Sequence, residues 1–133
     1  MKIQIFTLCD YAQSNAGKLS IIGTFNRIFA ESFPFVYTPS VFVVAKVCSN
    51  DACNGNFYFS AKDPDGAPFL SPLTGEFRIE NPQNDKKEKA FDFCLALNNI
   101  AFNKPGTYTF SFEVGGVIAT QELYLEPRPV QQR

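Results

Sequence analysis

The chain has 133 residues, 45% of them hydrophobic, with fifteen Phe, five Tyr and no Trp. That length predicts one domain with enough apolar material for a core without disulfide or metal staples. Twelve basic and thirteen acidic residues leave a net charge of −1, so no global field draws nucleic acid or anionic lipid, and the lack of His removes imidazole-based catalysis.

The amino terminus, MKIQIFTLCDYAQ, carries no apolar run of signal-peptide length and no small-residue cleavage site. No segment approaches the ~18 apolar residues of a membrane span. A cytoplasmic chain with no leader and no membrane partner is the expectation. Residues 2–9 read as a first strand, with Ile3 and Ile5 on one side and Phe6 and Leu8 on the other. Residues 10–17 read as a polar connection. Residues 18–27 (KLSIIGTFNR) are a second strand, in which Gly23 marks a bulge or a close backbone approach.

Residues 30–40 are irregular, because Pro34 and Pro39 break any ladder; a crossing between two sheets has this character. Residues 41–48 (VFVVAKVC) form a strand buried on both faces, Lys46 excepted. Residues 56–62 are expected as its hairpin partner, with Phe57, Phe59 and Ala61 inward and Tyr58, Ser60 and Lys62 outward. Asp63-Pro64-Asp65-Gly66 is a strong turn. A short strand follows at 76–80, then a solvated stretch at 81–89. In the next strand, 90–97, Phe91, Phe93, Leu95 and Leu97 are in phase while Asp92 and Cys94 point the other way.

The segment from Pro105 to Pro127 is the most readable. Tyr108, Phe110, Phe112 and Val114 alternate with Thr107, Thr109, Ser111 and Glu113, and Gly115-Gly116 then allows a two-residue hairpin turn. With that turn as the whole loop, Val114 faces Val117, Phe112 faces Ala119, Phe110 faces Gln121 and Tyr108 faces Leu123. Gln121 is the misfit on an apolar face: it requires either a buried polar contact or a bulge that turns it outward. Tyr108 occupies the place of a tyrosine corner, and an ordinary core Tyr fits the position equally well.

About eight antiparallel strands at this spacing, with no helix, predict an all-β Greek-key β-sandwich, immunoglobulin-like or related. Residues 1–126 form the domain and 127–133 an extended carboxy-terminal tail.

Chemistry is sparse. The four thiols, Cys9, Cys48, Cys53 and Cys94, are expected to stay reduced in the cytoplasm, although Cys48 and Cys53 could approach each other across the loop between them. With no His and no second closely spaced pair, zinc is not expected. Asp51, Asp63 and Asp65 are the candidate metal ligands, since calcium takes oxygens from such loops. Against this, a hairpin would send the two loops to opposite ends of the strand between them. The Lys86–Lys89 run is interspersed with acids and reads as a solvated loop, so no nucleic-acid partner is expected. Phe33, Phe35 and Tyr37 place three aromatics in an irregular segment, as a protein-binding patch or as a plug on the end of the core.

Taken together, CDYA at 9–12, GKLSIIGTFNRI at 17–28, AKV at 45–47, DPDG at 63–66 and PGTYTFSFEVGGVIA at 105–119 resemble a family of small uncharacterised bacterial proteins, a domain of unknown function. The resemblance spans almost the whole chain. It implies a bacterial origin and a β-sandwich of immunoglobulin-like or related topology, and it supplies no activity and no functional residues.

The expected function is a non-catalytic protein-binding or assembly module, not an enzyme, working without a cofactor against another protein or a second copy. A calcium- or small-ligand-binding sandwich is the alternative.

Overall fold

The structure, a computed structural model, describes residues 1–128. Those residues form eleven strands and no helix: β1 (Lys2–Asn15), β2 (Lys18–Thr24), β3 (Arg27–Ala30), β4 (Phe35–Tyr37), β5 (Val41–Ser49), β6 (Cys53–Lys62), β7 (Pro68–Ile79), β8 (Lys89–Leu97), β9 (Ile100–Phe102), β10 (Gly106–Val114) and β11 (Val117–Pro127). The tail expected at 127–133 begins within β11, and its last five residues lie outside the described residues.

One sheet has the order β2-β1-β5-β8 and a second the order β3-β11-β10-β6-β7; β4 and β9 make a separate two-stranded ladder. The two large sheets face each other across one core. Phe6 of the first stacks on Phe112 of the second at 5.9 Å, and Phe93 of the first meets Phe57 of the second edge-on at 5.0 Å. Offset and edge-on rings of this kind add to the stabilisation from area burial alone. Pairing is antiparallel everywhere except between β3 and β11, which run parallel.

The closing hairpin follows its sequence pattern without a slip: Val114 faces Val117, Phe112 faces Ala119, Phe110 faces Gln121 and Tyr108 faces Leu123. Gly115 and Gly116 have φ of 54° and 78°, the left-handed pair that a two-residue turn of matching twist requires. Neither expected resolution of Gln121 occurs. No bulge interrupts the ladder, and the side chain is half-buried in a crevice of about 280 Å³ shared with Thr7, Thr24, Phe25 and Asn26. Its amide donates to the carbonyl of Glu122 at 3.0 Å. The inner face of β11 therefore opens to water at this point. Tyr108 is buried, and its hydroxyl donates to the carbonyl of Lys104 at 2.8 Å, the back-bond of a tyrosine corner.

Several sequence expectations are corrected. Residues 41–48 and 56–62 are not hairpin partners: β5 pairs with β1 and β8, while β6 pairs with β10 and β7, so the Asn50–Ala52 link crosses between the sheets. A register shift between Ile3 and Ile5 puts Ile3 on the core side with Phe6 and Leu8, leaving Ile5 on the other face. The strand expected at 18–27 divides at Phe25-Asn26. There the amide of Phe25 donates to Leu8 in one sheet and the carbonyl of Asn26 accepts from Tyr124 in the other, so two adjacent residues tie the layers together. The strand expected at 76–80 begins earlier, at Pro68, because prolines are tolerated on a sheet edge. The count is eleven rather than eight chiefly because β3, β4 and β9 are too short to show a period.

The polar connection expected at 10–17 is also strand. β1 runs on to Asn15, and the outer half of the β1–β2 hairpin folds across the outward face of its own sheet. Ala12, Leu19 and Ile21 pack there on Cys9, Val44 and Phe42, and Tyr11 meets the Phe42 ring edge-on at 5.2 Å. Ser14 donates to Asp92 of β8 at 3.1 Å. The bend sits at Asp10 and Gly23. Gly23 has φ of 71°, and a Cβ there would clash with the Asp10 carboxylate, so the close approach expected at this glycine holds, whereas the β1–β2 register passes it without the shift of a bulge.

Candidate functional site

Every edge strand presents unpaired backbone groups, and proteins usually guard such edges with prolines, bulges, charges or short length. In the five-stranded sheet, β7 carries Pro68, Pro72 and Leu70 at φ of 66°, with a register shift against β6. The opposite edge, β3, has four residues. In the four-stranded sheet, β2 has Gly23 near one end and belongs to the folded-over hairpin.

β8 lacks the prolines, the bulges and the short length. Its nine residues, KAFDFCLAL, contain no Pro and no Gly, and its ladder to β5 runs from Lys89 to Leu97 without a shift. Among the described residues its main chain pairs only with β5. Its two charges are turned aside: Lys89 Nζ lies 2.5 Å from Asp85 Oδ1, and Asp92 Oδ1 lies 2.8 Å from Lys46 Nζ. The Lys46–Asp92 contact is ionic rather than a directed hydrogen bond, and its side chains are only 17% and 8% exposed. Outward-pointing Cys94 and Ala96 are small and exposed, while inward-pointing Phe91, Leu95 and Leu97 are half-covered. The result is a regular rim, apolar apart from these two paired charges, with no proline or bulge along it. The sequence pattern identifies this strand and its two faces, but an edge position leaves no period to read. The absence of Pro and Gly over nine residues was the available clue.

Phe33, Phe35 and Tyr37 are brought together, but toward the core. All three are half-buried against the main cluster; the Tyr37 ring lies 6.4 Å from both Phe25 and Phe35. Burial, with Asp10 nearby, pushes the Tyr37 hydroxyl above the usual range. Between them, Val36 is 50% exposed. The segment is a plug on one end of the core with a small apolar outer surface.

Asp51, Asp63 and Asp65 are not gathered. Asp51 follows β5 and Asp63 follows β6, so the length of β6 separates them, roughly 30 Å for a strand of this size. Asp51 pairs with Lys86 at 2.6 Å, which holds its carboxyl below the usual range. Asp63 Oδ1 accepts from the amides of Asp65 and Ala67, both at 2.9 Å, and Lys104 pairs with Asp65. DPDG is thus a self-satisfied turn. No group of three or more Cys, Asp or Glu side chains placed to hold a metal occurs among the described residues.

The sequence model of a family of unknown function, DUF6941, matches residues 4–124. The chain belongs to this family. No curated protein and no solved structure matches it.

The span matched by DUF6941 runs from β1 into β11, so the β8 rim, the aromatic plug and both acidic loops all lie inside it. The family description assigns no activity to any of them. The thiols are all free. Cys48 and Cys53 are not bridged, being in different sheets at the two ends of a crossing. Burial is the first cause pushing the thiols of Cys9, Cys48 and Cys94 up, and Asp92 adds to it at Cys94. A nucleophilic thiol needs the opposite shift. No described helix is long and apolar enough to cross a membrane.

Proposed function

We propose that this chain is a non-catalytic protein-binding or assembly module that docks through a sheet edge. The observation that carries this reading is the regular β8 rim, since an incoming strand gains main-chain hydrogen bonds along it and side-chain pockets at alternate positions. The raised thiols and the separated carboxylates argue for binding rather than catalysis. An immunoglobulin-like Greek-key topology goes with this reading. It is supported by the order β1-β5-β8 opposite β11-β10-β6-β7, the parallel β3 beside β11, and the Tyr108 corner. With a net charge of −1, the module is expected to act without nucleic acid or an anionic membrane, and a cytoplasmic location goes with this reading.

The test is site-resolved photocrosslinking in the cells that make the protein. A crosslinker replaces Ala96 on the β8 rim or, as a control, Thr120 on the outer face of the other sheet. An identified polypeptide joined through position 96 and not through 120 is expected. Products at neither position, or equal products at both, would end the reading.

A further inference from the structure

We propose that the strand docking on β8 is β8 of a second copy, so that two molecules join their four-stranded sheets into one continuous antiparallel sheet. This rests on the reading of β8 as a docking edge and names its occupant. Opposed residues in an antiparallel pair lie on the same face, so a two-fold axis normal to the sheet must pass beside one residue and its own copy. With the axis at Cys94, Phe93 faces Leu95 of the second copy, Phe91 faces Leu97, and Asp92 faces Ala96.

Apolar inward residues then meet apolar inward residues, covering the half-exposed Phe91, Leu95 and Leu97. No charge meets its like. Centring on Asp92 would set two carboxylates face to face, which the other registers avoid. The charges of the strand are already neutralised within each copy by Lys46 and Asp85, so pairing strands no charge. A net charge of −1 per chain adds little repulsion between copies. A strand with this self-complementary row needs no second sequence to complete it.

Sedimentation of the purified full chain across the micromolar range is expected to show a species of twice the 14.9 kDa chain mass. In a Cys53→Ser background, a short bismaleimide is expected to link the two Cys94 side chains, since Cys9 and Cys48 are buried. Cys94→Ala should abolish the crosslink and keep the doubled mass. Cys94→Lys should keep the monomer's melting curve, because the residue is exposed, yet weaken association at least about tenfold by opposing two ammonium groups. A wild type that stays monomeric overturns the proposal, as does a dimer indifferent to Cys94→Lys and without the crosslink. A monomer in solution whose position 96 still captures a different polypeptide in cells overturns self-pairing alone and leaves the docking edge standing.

Discussion

On the four-stranded sheet the outward row of β5 is Phe42, Val44, Lys46 and Cys48; on the five-stranded sheet the outward row of β10 is Thr107, Thr109, Ser111 and Glu113. The first row is apolar apart from one lysine; the β1–β2 hairpin folds over Phe42 and Val44 and excludes water there, while Cys48 lies against Gln4. The second is hydroxyl-rich and half-exposed, with Glu113 exposed to water. Inward-facing residues of both strands are equally buried, so the contrast comes entirely from what lies outside each sheet. The outward residues of a strand thus report whether something covers it, and here the cover is the chain's own hairpin.

The same substitution on each face is the sharpest way to break this comparison. Val44→Asp would bury an unpaired carboxylate beneath the hairpin and is expected to cost about 3–5 kcal/mol in urea unfolding, or to prevent folding. Thr120→Asp, on the exposed outer face of β11, is expected to stay within about 0.5 kcal/mol of wild type. Equal costs would mean that the hairpin does not shield the face.

A smaller effect is expected at the ion pair under the hairpin. Asp92→Ala leaves the Lys46 ammonium largely enclosed without its partner and should cost about 3 kcal/mol, since removing one member of a buried pair is worse than removing both. The double change Lys46→Met with Asp92→Leu should recover most of that loss. If the single and double variants unfold alike, the pair is solvated and the hairpin does not exclude water from it.

Ser14→Ala removes the one side-chain hydrogen bond from the hairpin to β8 and should cost about 1 kcal/mol. Amide hydrogen exchange in β2 should speed up more than exchange in β10, because the hairpin loosens before the core does. Uniform acceleration would show that the hairpin and core open together.

The smallest effect concerns acid. Lys86 beside Asp51, Lys89 beside Asp85 and Lys2 beside Glu88 hold those carboxyls below their usual range. A lowered folded-state value means the stabilisation is present above the unfolded-state pKa and is lost as pH falls through the folded one. Melting temperature should therefore decline below about pH 4 by a small amount, because the Lys86–Asp51 and Lys2–Glu88 pairs are exposed and screened and only Lys89–Asp85 is half-buried. Lys86→Met should flatten part of that slope. No change in slope would remove Asp51–Lys86 from the account.

Much of the fold was legible. Tyr108 to Val114 alternates apolar with polar because one of its faces is wet, and that contrast fixed the hairpin register to the residue. β6 was equally clear in its faces and unreadable in its partners. Six residues from Cys48 to Cys53 suit a hairpin loop or a crossing between sheets, and nothing local separates the two. The folded-over hairpin was hidden for a related reason. On its β1 arm the inward residues, Ala12 and Ser14, are small enough to lie flat on the sheet beneath and so carry little hydrophobic signal, while bulky Tyr11 is 45% exposed. At the candidate site, the sequence placed Asp92 and Cys94 away from the core correctly, but whether a strand is an edge depends on the rest of the topology.

The parallel pairing of β3 with β11 has a consequence for the order of events during synthesis. β3 leaves the ribosome among the first elements, and its only ladder partner among the described strands is the last of them to be made. Until β11 emerges, Ile28 and Ala30 have no sheet to be buried in, and that edge must wait uncommitted while the intervening strands appear. The last strand made is then the one that docks the first crossing onto the second sheet, and a nascent chain halted before β11 should be a better chaperone client than one halted just after it.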